Sequence, residues 1–400
     1  MSDNLPAKLP VRQTKEVTPR GEVVPITANP PAPEIKVVQA PPSLPGMVLV
    51  RRQLAQFIRF ASRLTTKSAT PALRCCLFGL DSVLVTDLDV ALRATLLGAR
   101  DVGVLVPVEA LKRFLAGTER PEISIAPEQP NPTRPFGVRV NGALLRSHDP
   151  AEFPPVTALF PDGDPLARAR FQTLEPVLVA ASTDETRKAM CGVFFELCKN
   201  IVVATNGHVL HALEIQSGDR GDFLVPRKAI ELVEIIRKAT KTPEVSVAFH
   251  ENHAVFRIAM FHLSARLETA KFPAWEEVVP KKSKHELRVS KADLLEALDR
   301  VAAAMGDRAR GVVLHRTGER LEIYGENPRA GELRTDIAAG GWTDKAVIEA
   351  NLSYLYNAAR FAPSDEIRMG LSDDTSPVKI HEGPYCALVM PIGPRKEAKS

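Results

Sequence analysis

The chain has 400 residues, of which 44% are hydrophobic and 25% are charged, and its formal net charge is +4. These values exclude a disordered or fibrous chain and are typical of a folded protein with roughly two to four domains. No apolar run approaches the roughly 18 residues that a membrane span needs, and the N-terminus lacks a signal-peptide pattern. We therefore expect a cytoplasmic protein.

The N-terminal extension is the first predicted element. Residues 1–46 contain ten prolines and no aromatic residue, so the segment cannot bury enough apolar area to offset its ordering entropy. We expect a disordered, Pro-rich extension, which is either a docking arm for a partner or a tolerated addition. A basic tail is expected at the other end, over 394–400.

A threefold repeat follows the extension. Leu54, Leu174 and Leu294 are spaced by 120 residues, and each lies in an amphipathic helical pattern. A second helical segment recurs from Val106, Val225 and Ile348, each time followed by an alternating strand pattern: EISIAPE, EVSVAFHE and EIRMGLSD. Because order and spacing both recur, we interpret the chain as three related domains.

The repeat sets the predicted domain boundaries at 47–165, 166–285 and 286–393. Each unit has several period-two segments for every helical one, which favours an α+β fold with antiparallel sheets over parallel βαβ units. The segment CCLFGLDSVLVTDLDVALRATLL, from Cys75, predicts two or three strands joined by short turns.

Basic residues recur on the predicted helices. Arg52, Arg59 and Arg63 fall on one face of the first helix. Further basic residues occur in the later helices: Lys112, Arg113, Arg237, Lys238, Arg300 and Arg360. Two interpretations stay open, a shared basic surface lined by helices or ordinary solvated side chains.

Motifs for catalysis and cofactor binding are absent. There is no GxxxxGK[ST] loop and no GxGxxG, and the histidine pairs at 208–211 and 250–253 lack further ligands at plausible spacing. TDLD (86–89) aligns with ATNG (204–207) and YGEN (324–327), which predicts a hairpin turn rather than a metal site. We expect no catalytic residue, metal or cofactor; an enzyme using His208 and paired acids is the rival hypothesis.

The cysteines support the same conclusion. Their number is odd and they form no CxxC pair, so neither a zinc site nor a disulfide framework is indicated. We expect reduced, mostly buried thiols at Cys75, Cys76, Cys191, Cys198 and Cys386.

Six blocks in the repeat carry a family resemblance: TDLDVAL (86–92), AEFPPV (151–156), ATNGHVL (204–210), VPRK (225–228), KFPAWEEVVP (271–280) and LVMPI (388–392). In order and spacing they resemble the bacterial sliding clamp, the beta subunit of DNA polymerase III. The resemblance implies a homodimeric ring of six domains, with helices facing a central hole and sheets outside. Such a ring encircles duplex DNA without sequence preference. It tethers the replicative polymerase as a non-catalytic processivity factor.

The resemblance also implies a pocket between the second and third domains that binds short linear peptides of the polymerase and the clamp loader. Matching positions in this chain are Met190, Thr205, Gly207, His208, Val209, Leu210, Pro273, Glu277, Val278, Leu388, Val389, Met390, Pro391 and Ile392. Val209 and Glu277 stand where many clamps carry arginine, so we expect a less basic rim.

Two further sets of positions follow from the resemblance. The implied DNA-binding residues are Lys67, Arg187, Lys188, Arg308 and Arg310. The implied dimer contacts are Ala143, Leu145, Ala304 and Met305, where the two alanines replace residues that are often larger. The alternative to a replication clamp is a divergent paralogue that serves repair or a mobile element.

Overall fold

The structure is a computed structural model that describes residues 46–65, 69–129, 136–306, 311–327, 329, 331–341, 346–373 and 375–392. Several predictions lie outside the described residues: the roles of Lys67, Arg308 and Arg310, the extension over 1–45, and the tail over 394–400.

The described elements follow one another in three stretches. The first contains β1 Met47–Val50, α1 Arg51–Thr65, β2 Cys75–Gly79, β3 Ser82–Thr86, β4 Val90–Ala94, β5 Val104–Pro107, α2 Val108–Ala116, β6 Glu122–Pro127, β7 Gly137–Val140, β8 Ala143–Arg146 and α3 Val156–Leu159. The second contains β9 Ala167–Phe171, α4 Glu175–Leu178, β10 Gly192–Glu196, β11 Ile201–Thr205, β12 Val209–Glu214, β13 Gln216–Ser217, β14 Asp222–Pro226, α5 Arg227–Thr240, β15 Val245–Phe249, β16 His253–Ile258 and β17 Phe261–Arg266. The third contains β18 His285–Ser290, α6 Lys291–Met305, β19 Gly311–Thr317, β20 Arg320–Asn327, β21 Gly331–Gly341, β22 Ala346–Asn351, α7 Leu352–Phe361, β23 Glu366–Leu371, β24 Val378–Glu382 and β25 Tyr385–Val389.

The described strands form sheets of four, nine and twelve strands, and the pairings between them are antiparallel. The predicted α+β class is therefore confirmed, as are the three strands predicted from Cys75 onward. Two pairings join successive stretches of the chain. We call the pairing of β4 with β17 the first junction and that of β12 with β25 the second junction.

Helix α1 confirms the prediction made from its periodicity. Its buried side chains include Leu54, Phe57, Ile58 and Phe60, which recur at helical spacing and pack into the main core. Each such burial contributes up to about 1.5–3 kcal/mol relative to an exposed side chain. Helix α6 likewise buries Leu294, as its pattern predicted.

The predicted helix around Leu174 is wrong in extent, because α4 forms only one turn, Glu175–Leu178. The carbonyl groups at and just beyond its C-terminal end accept hydrogen bonds from a side chain outside the helix. The Arg227 guanidinium donates to the Leu178 carbonyl at 3.1 Å and to the Ala181 carbonyl at 2.6 Å. A tertiary contact thus takes the place of further helical hydrogen bonds.

The predicted turns are confirmed at two of three positions. TDLD joins β3 to β4, and ATNG joins β11 to β12. YGEN is wrong as a turn, because its residues lie within the long strand β20. The histidine pair at 250–253 falls where β15 turns into β16, as expected for a hairpin.

The five cysteines are free thiols. Cys75 and Cys76 are buried, and burial raises the pKa of the Cys75 thiol to about 12. Cys198 is exposed and the other two are half-buried, so burial is less general than predicted. None of the described helices is both long and apolar enough to cross a bilayer.

A buried polar cluster lies behind the second junction. His211 is fully buried in β12, and its Nδ1 donates to the Pro176 carbonyl of α4 at 2.5 Å. The Tyr385 hydroxyl lies 3.2 Å from the same nitrogen and donates to the Ala358 carbonyl of α7 at 3.2 Å. Burial lowers the pKa of His211 to about 4, because the apolar surroundings disfavour the charged imidazole.

We predict that His211 makes the fold sensitive to acid. Since the pKa of His211 is lower in the folded state than the ordinary 6.5, the unfolded chain binds more protons between these values. The contribution of His211 to the free energy of unfolding is fully present above about pH 6.5. It is lost as the pH falls toward 4, by about 3 kcal/mol in total. In H211F, which keeps a ring against Tyr385, the unfolding free energy should fall by that much less over this range. Urea-induced unfolding at several pH values measures this free energy. The same dependence on pH in both proteins would contradict the assignment.

Candidate functional site

The turn between β11 and β12 is built by two polar side chains. Thr205 Oγ1 donates to the Val209 carbonyl at 2.7 Å and accepts from the Gly207 amide at 3.1 Å. Asn206 Oδ1 accepts from the amides of His208 and Val209, at 2.9 and 3.1 Å. Gly207 has a φ of +90°, which glycine adopts without steric cost. The turn is therefore held in one conformation and leaves His208 exposed.

The last described residues run along this turn. The Met390 amide donates to the His208 carbonyl at 2.9 Å, directly after β25 has paired with β12. The Ile392 amide then donates to the Glu349 carbonyl at 2.7 Å, and Pro391 forms a bridge with Ala350. The segment Met390–Ile392 is thus fixed between the turn and β22.

Helix α7 completes this side of the site. Asn351 caps the helix by accepting from the Tyr354 amide at 3.1 Å. The Tyr354 hydroxyl accepts from Asn206 Nδ2 at 3.0 Å, which links α7 to the turn. Asn206, Asn351 and Tyr354 were missed in the sequence. The sequence could have indicated the role of Asn206, because the side chain of an asparagine at a turn often accepts hydrogen bonds from the amides that follow it.

The outer face of the second junction carries an apolar cluster of Val203, Leu210, Ala212, Leu224, Phe272 and Leu388. The segment 272–280 crosses this face. Phe272 stacks on Phe194 with ring centroids 4.7 Å apart, and the Pro280 carbonyl accepts from Lys379 Nζ at 3.1 Å. Trp275 Nε1 donates to Glu196 Oε2 at 3.0 Å. Three predicted residues, Pro273, Glu277 and Val278, are exposed on this segment.

The predicted peptide-binding residues divide into accessible and buried groups. Those that are exposed or half-buried are Met190, Gly207, His208, Pro273, Glu277, Val278, Met390, Pro391 and Ile392. Met390 and Ile392 each expose 38% of their surface and Val278 exposes 52%, which is high for apolar side chains. Such exposure of neighbouring apolar groups is typical of a binding surface.

The remaining predicted residues, Thr205, Val209, Leu210, Leu388 and Val389, are buried. Leu210 and Leu388 belong to the outer apolar cluster and form a floor. Val209 and Val389 instead pack into the main core on the opposite face, because neighbouring residues of a strand point to opposite sides. Val209 therefore contributes no side chain to the accessible surface, whereas Glu277 is exposed.

Arg187 and Lys188 lie on the turn that also contains Met190. Arg187 Nη1 donates to the Asn206 carbonyl at 3.4 Å, and its Nε lies 3.6 Å from Asp184. Met190 is held nearby, since its amide donates to the Arg187 carbonyl at 2.8 Å. Arg187 therefore contacts the turn of the candidate site, whereas Lys188 lines a groove at the first junction.

The basic helix residues are not equivalent in their contacts. Lys112, Arg237, Lys238 and Arg300 each form an ion pair with a glutamate. Helix α1 has four arginines and no acidic residue. Its Arg52, Arg59 and Arg63 are exposed and have no carboxylate within 4 Å among the described residues. Positive charge is therefore concentrated on α1.

The predicted dimer contacts need one correction. Ala143 is exposed, and Leu145 and Ala304 are half-buried. Met305 is fully buried beside Gly325 and Val301, so it offers no surface to a partner. Leu144 lies in β8 between Ala143 and Leu145 and exposes 37% of its surface. It was not among the predicted contacts.

These features define a class of protein. Solved bacterial clamp structures share the fold. A beta subunit of DNA polymerase III from Thermotoga maritima has a TM-score of 0.75 at 23% identity, with 88% of this chain and 100% of that chain covered. A sliding clamp from Bartonella birtlesii bound to griselimycin has a TM-score of 0.76 at 22% identity, covering 87% and 99% of the two chains.

The family is shown by two domain models. The central domain of the DNA polymerase III beta subunit matches residues 168–274, and its C-terminal domain matches residues 276–391. Together they cover more than half of the chain. The chain belongs to the DNA polymerase III beta subunit family.

Curated relatives agree with this assignment. The beta sliding clamp of Pseudomonas putida is 28% identical over 217 residues, which are 52% of this chain and 58% of that protein. The beta sliding clamp of Escherichia coli is 27% identical over 186 residues, 45% of this chain and 50% of that protein. The chain thus matches 50–58% of the length of these relatives.

We predict that Asn206 shapes the site through its side-chain acceptor. N206A removes the acceptor of two amides and should lower the unfolding free energy by about 1–2 kcal/mol. N206D keeps the acceptor, as Asp87 does at the corresponding turn, and should stay within about 0.5 kcal/mol of the parent. Urea-induced unfolding measures both values. Equal losses in the two variants would show that the Nδ2 bond to Tyr354 matters more than the acceptor.

Proposed function

We propose that the protein is a DNA sliding clamp that encircles duplex DNA and tethers the replicative polymerase as a processivity factor. The observation that carries this proposal is a strand pairing that joins neighbouring units twice. The corresponding strands of the first and last units keep an unpaired edge among the described strands. Each junction pairs five residues of one strand with five of another: β4 with β17, and β12 with β25. The same pairing, made between copies, would join chains head to tail.

The open strands occupy the corresponding places in the repeat. By chain order, β21 corresponds to β4 and β12, whereas β8 corresponds to β17 and β25. Residues 331–338 of β21 pair with β20 on one side and have no strand on the other among the described strands. Strand β8 pairs with β7 alone among them. Exposed edges of this kind invite pairing with another chain.

A heterologous contact of this kind closes into a ring when its rotation divides a full turn. The resemblance to clamps suggests that two copies suffice, which gives six related units. Duplex DNA inside the ring would be attracted by exposed arginines, chiefly those of α1, through non-specific and salt-dependent electrostatics. The proposal involves no catalytic residue, metal or cofactor, and it places the protein in the cytoplasm with the chromosome.

The partner site that we propose is the surface at the second junction. Leu210 and Leu388 pair across this junction within the apolar cluster, and the accessible His208 and Met390 lie beside them, joined by a backbone hydrogen bond, with Ile392 two residues further along. An apolar cleft with few polar groups suits short peptides that carry leucine or phenylalanine. We propose that the polymerase and the clamp loader bind here in turn, and that Glu277 disfavours acidic flanks.

The function is tested by topology. After loading by the clamp loader of the same cell, the protein should remain on nicked circular DNA and leave when the circle is cut. A protein that binds grooves would stay on the linear form. The triple variant R52A/R59A/R63A should still leave the DNA when the circle is cut. Its retention on the circle should fail at a lower salt concentration than that of the parent, because each lost phosphate contact reduces the slope of log K against log salt concentration by about 0.9. Retention on linear DNA with free ends would contradict the proposal.

Ring closure is tested at Leu144. Burial of a leucine contributes about 1.5–3 kcal/mol, so L144K should raise the dimer dissociation constant at least about tenfold. Sedimentation across a dilution series measures it. L97K is the matched control, because Leu97 has the most exposed large apolar side chain among the described residues and lies outside the strands. The same dissociation constant in L144K and L97K would remove β8 from the interface.

A further inference from the structure

The first junction repeats the backbone framework of the second junction. Its turn lies between β3 and β4, and the segment that runs along the turn follows β17. The corresponding hydrogen bonds are Thr86 Oγ1 to the Val90 carbonyl (3.0 Å), the Leu88 amide to Thr86 Oγ1 (2.9 Å), the Val90 amide to Asp87 Oδ1 (2.8 Å), the Arg266 amide to the Asp89 carbonyl (2.8 Å) and the Glu268 amide to the Leu224 carbonyl (2.9 Å).

This equivalence assigns counterparts to three accessible residues of the second junction. Asp89 takes the place of His208, because their carbonyls accept the equivalent hydrogen bond. Arg266 takes the place of Met390, and Glu268 takes the place of Ile392. The same framework therefore presents charged side chains at the first junction, where the second presents mainly apolar ones.

A groove is present at the first junction, with a volume of about 950 Å³. We call it the junction groove and define it by Asp89, Arg266, Glu268 and the aliphatic side chains beneath them. Its apolar part consists of Leu64, Val90, Leu232, Ile235 and Leu267, contributed by α1, β4, α5 and the end of β17. Its volume lies in the range of known ligand sites.

The charges around the junction groove favour a peptide over a nucleic acid. Its lining includes five basic and four acidic side chains. Two of the basic residues are already occupied, since Arg227 pairs with Glu231 at 2.7 Å and Lys228 pairs with Asp87. The three basic and three acidic side chains that remain balance one another, so the groove has no net positive charge to attract phosphate groups. A peptide can carry both charges and match the mixture.

Leu88 is a second, independent feature of the same edge. It has a φ of +84° at the position that Gly207 occupies in the other turn, and it exposes 54% of its surface. Both the left-handed backbone and the exposed leucine are unfavourable in an unbound protein. A strained, exposed apolar residue beside a groove is typical of a contact surface.

We propose that the junction groove binds a short, extended peptide that carries an aliphatic side chain together with acidic and basic ones. The aliphatic group would contact the half-buried Ile235 and Leu267, an acidic group would reach Arg266, and a basic group would reach Glu268 or Asp89. The choice of a peptide rests on the proposed peptide role of the second junction, whose framework the groove shares.

The test uses the full chain and a displayed library of random twelve-residue peptides. Selected peptides are measured on the parent, on R266E, on R257E and on M390A. Arg257 is the matched control, because it is exposed on the neighbouring strand β16 and does not line the groove. We expect one class of peptides, which carries acidic and basic residues beside an aliphatic one, to lose at least tenfold affinity in R266E and less than twofold in R257E and M390A. Replacement of the peptide's acidic residue by lysine should restore binding to R266E.

Other outcomes would overturn the proposal. If every selected peptide loses affinity in M390A and none in R266E, the second junction is the peptide site and the groove takes no peptide. Displacement of this class by inorganic phosphate would make the groove an anion site, and displacement by duplex DNA would make it a nucleic-acid surface. Failure of the proposed function is distinguishable, since no selected peptide would then lose affinity in M390A, whereas one class would still lose it in R266E.

Discussion

The structure depends on antiparallel strand pairing across its two junctions. Five residue pairs join β4 to β17, and five more join β12 to β25, so sheets of adjoining units continue into one another. Backbone hydrogen bonds of this kind are insensitive to side-chain identity, which allows sequence to diverge while the connection is kept. The corresponding strands of the first and third stretches, β8 and residues 331–338 of β21, each keep one unpaired edge among the described strands.

Because backbone carries the connection, side chains are free to give each junction its own properties. Behind the second junction, His211 and Tyr385 form a polar cluster with the carbonyls of α4 and α7. The register places Leu92 and Phe261 at the corresponding positions of the first junction, where Phe261 packs edge-on against Phe60 with centroids 5.3 Å apart. The outer surfaces differ too, apolar at one junction and charged at the other. The same backbone framework therefore supports two surfaces that differ in the chemical character of their side chains.

Much of the fold followed from periodicity in the sequence. Helices α1 and α6, the strands from Cys75 onward and the turns at 86–89 and 204–207 were predicted from local pattern. The helix around Leu174 was overpredicted, because the Arg227 side chain, more than 45 residues away in sequence, binds the carbonyls at its end. At the candidate site, Met390 and Ile392 were predicted from a family motif, whereas Asn351 and Tyr354 were missed because their role depends on the approach of α7 to a distant turn.

By itself, the sequence determined the repeat and the class of the fold, because these depend on spacing and alternation along the chain, and its resemblance to a family indicated the segments of the candidate site. Only the tertiary structure decided which of those residues are accessible. It placed Val209 in the core, buried Met305 beside Gly325 and exposed Leu144 at an open strand edge. It also revealed that Asp89, Arg266 and Glu268 stand where the second junction has His208, Met390 and Ile392. The physical reason is that burial and hydrogen-bond partners arise from contacts between segments far apart in the chain, which no local pattern encodes.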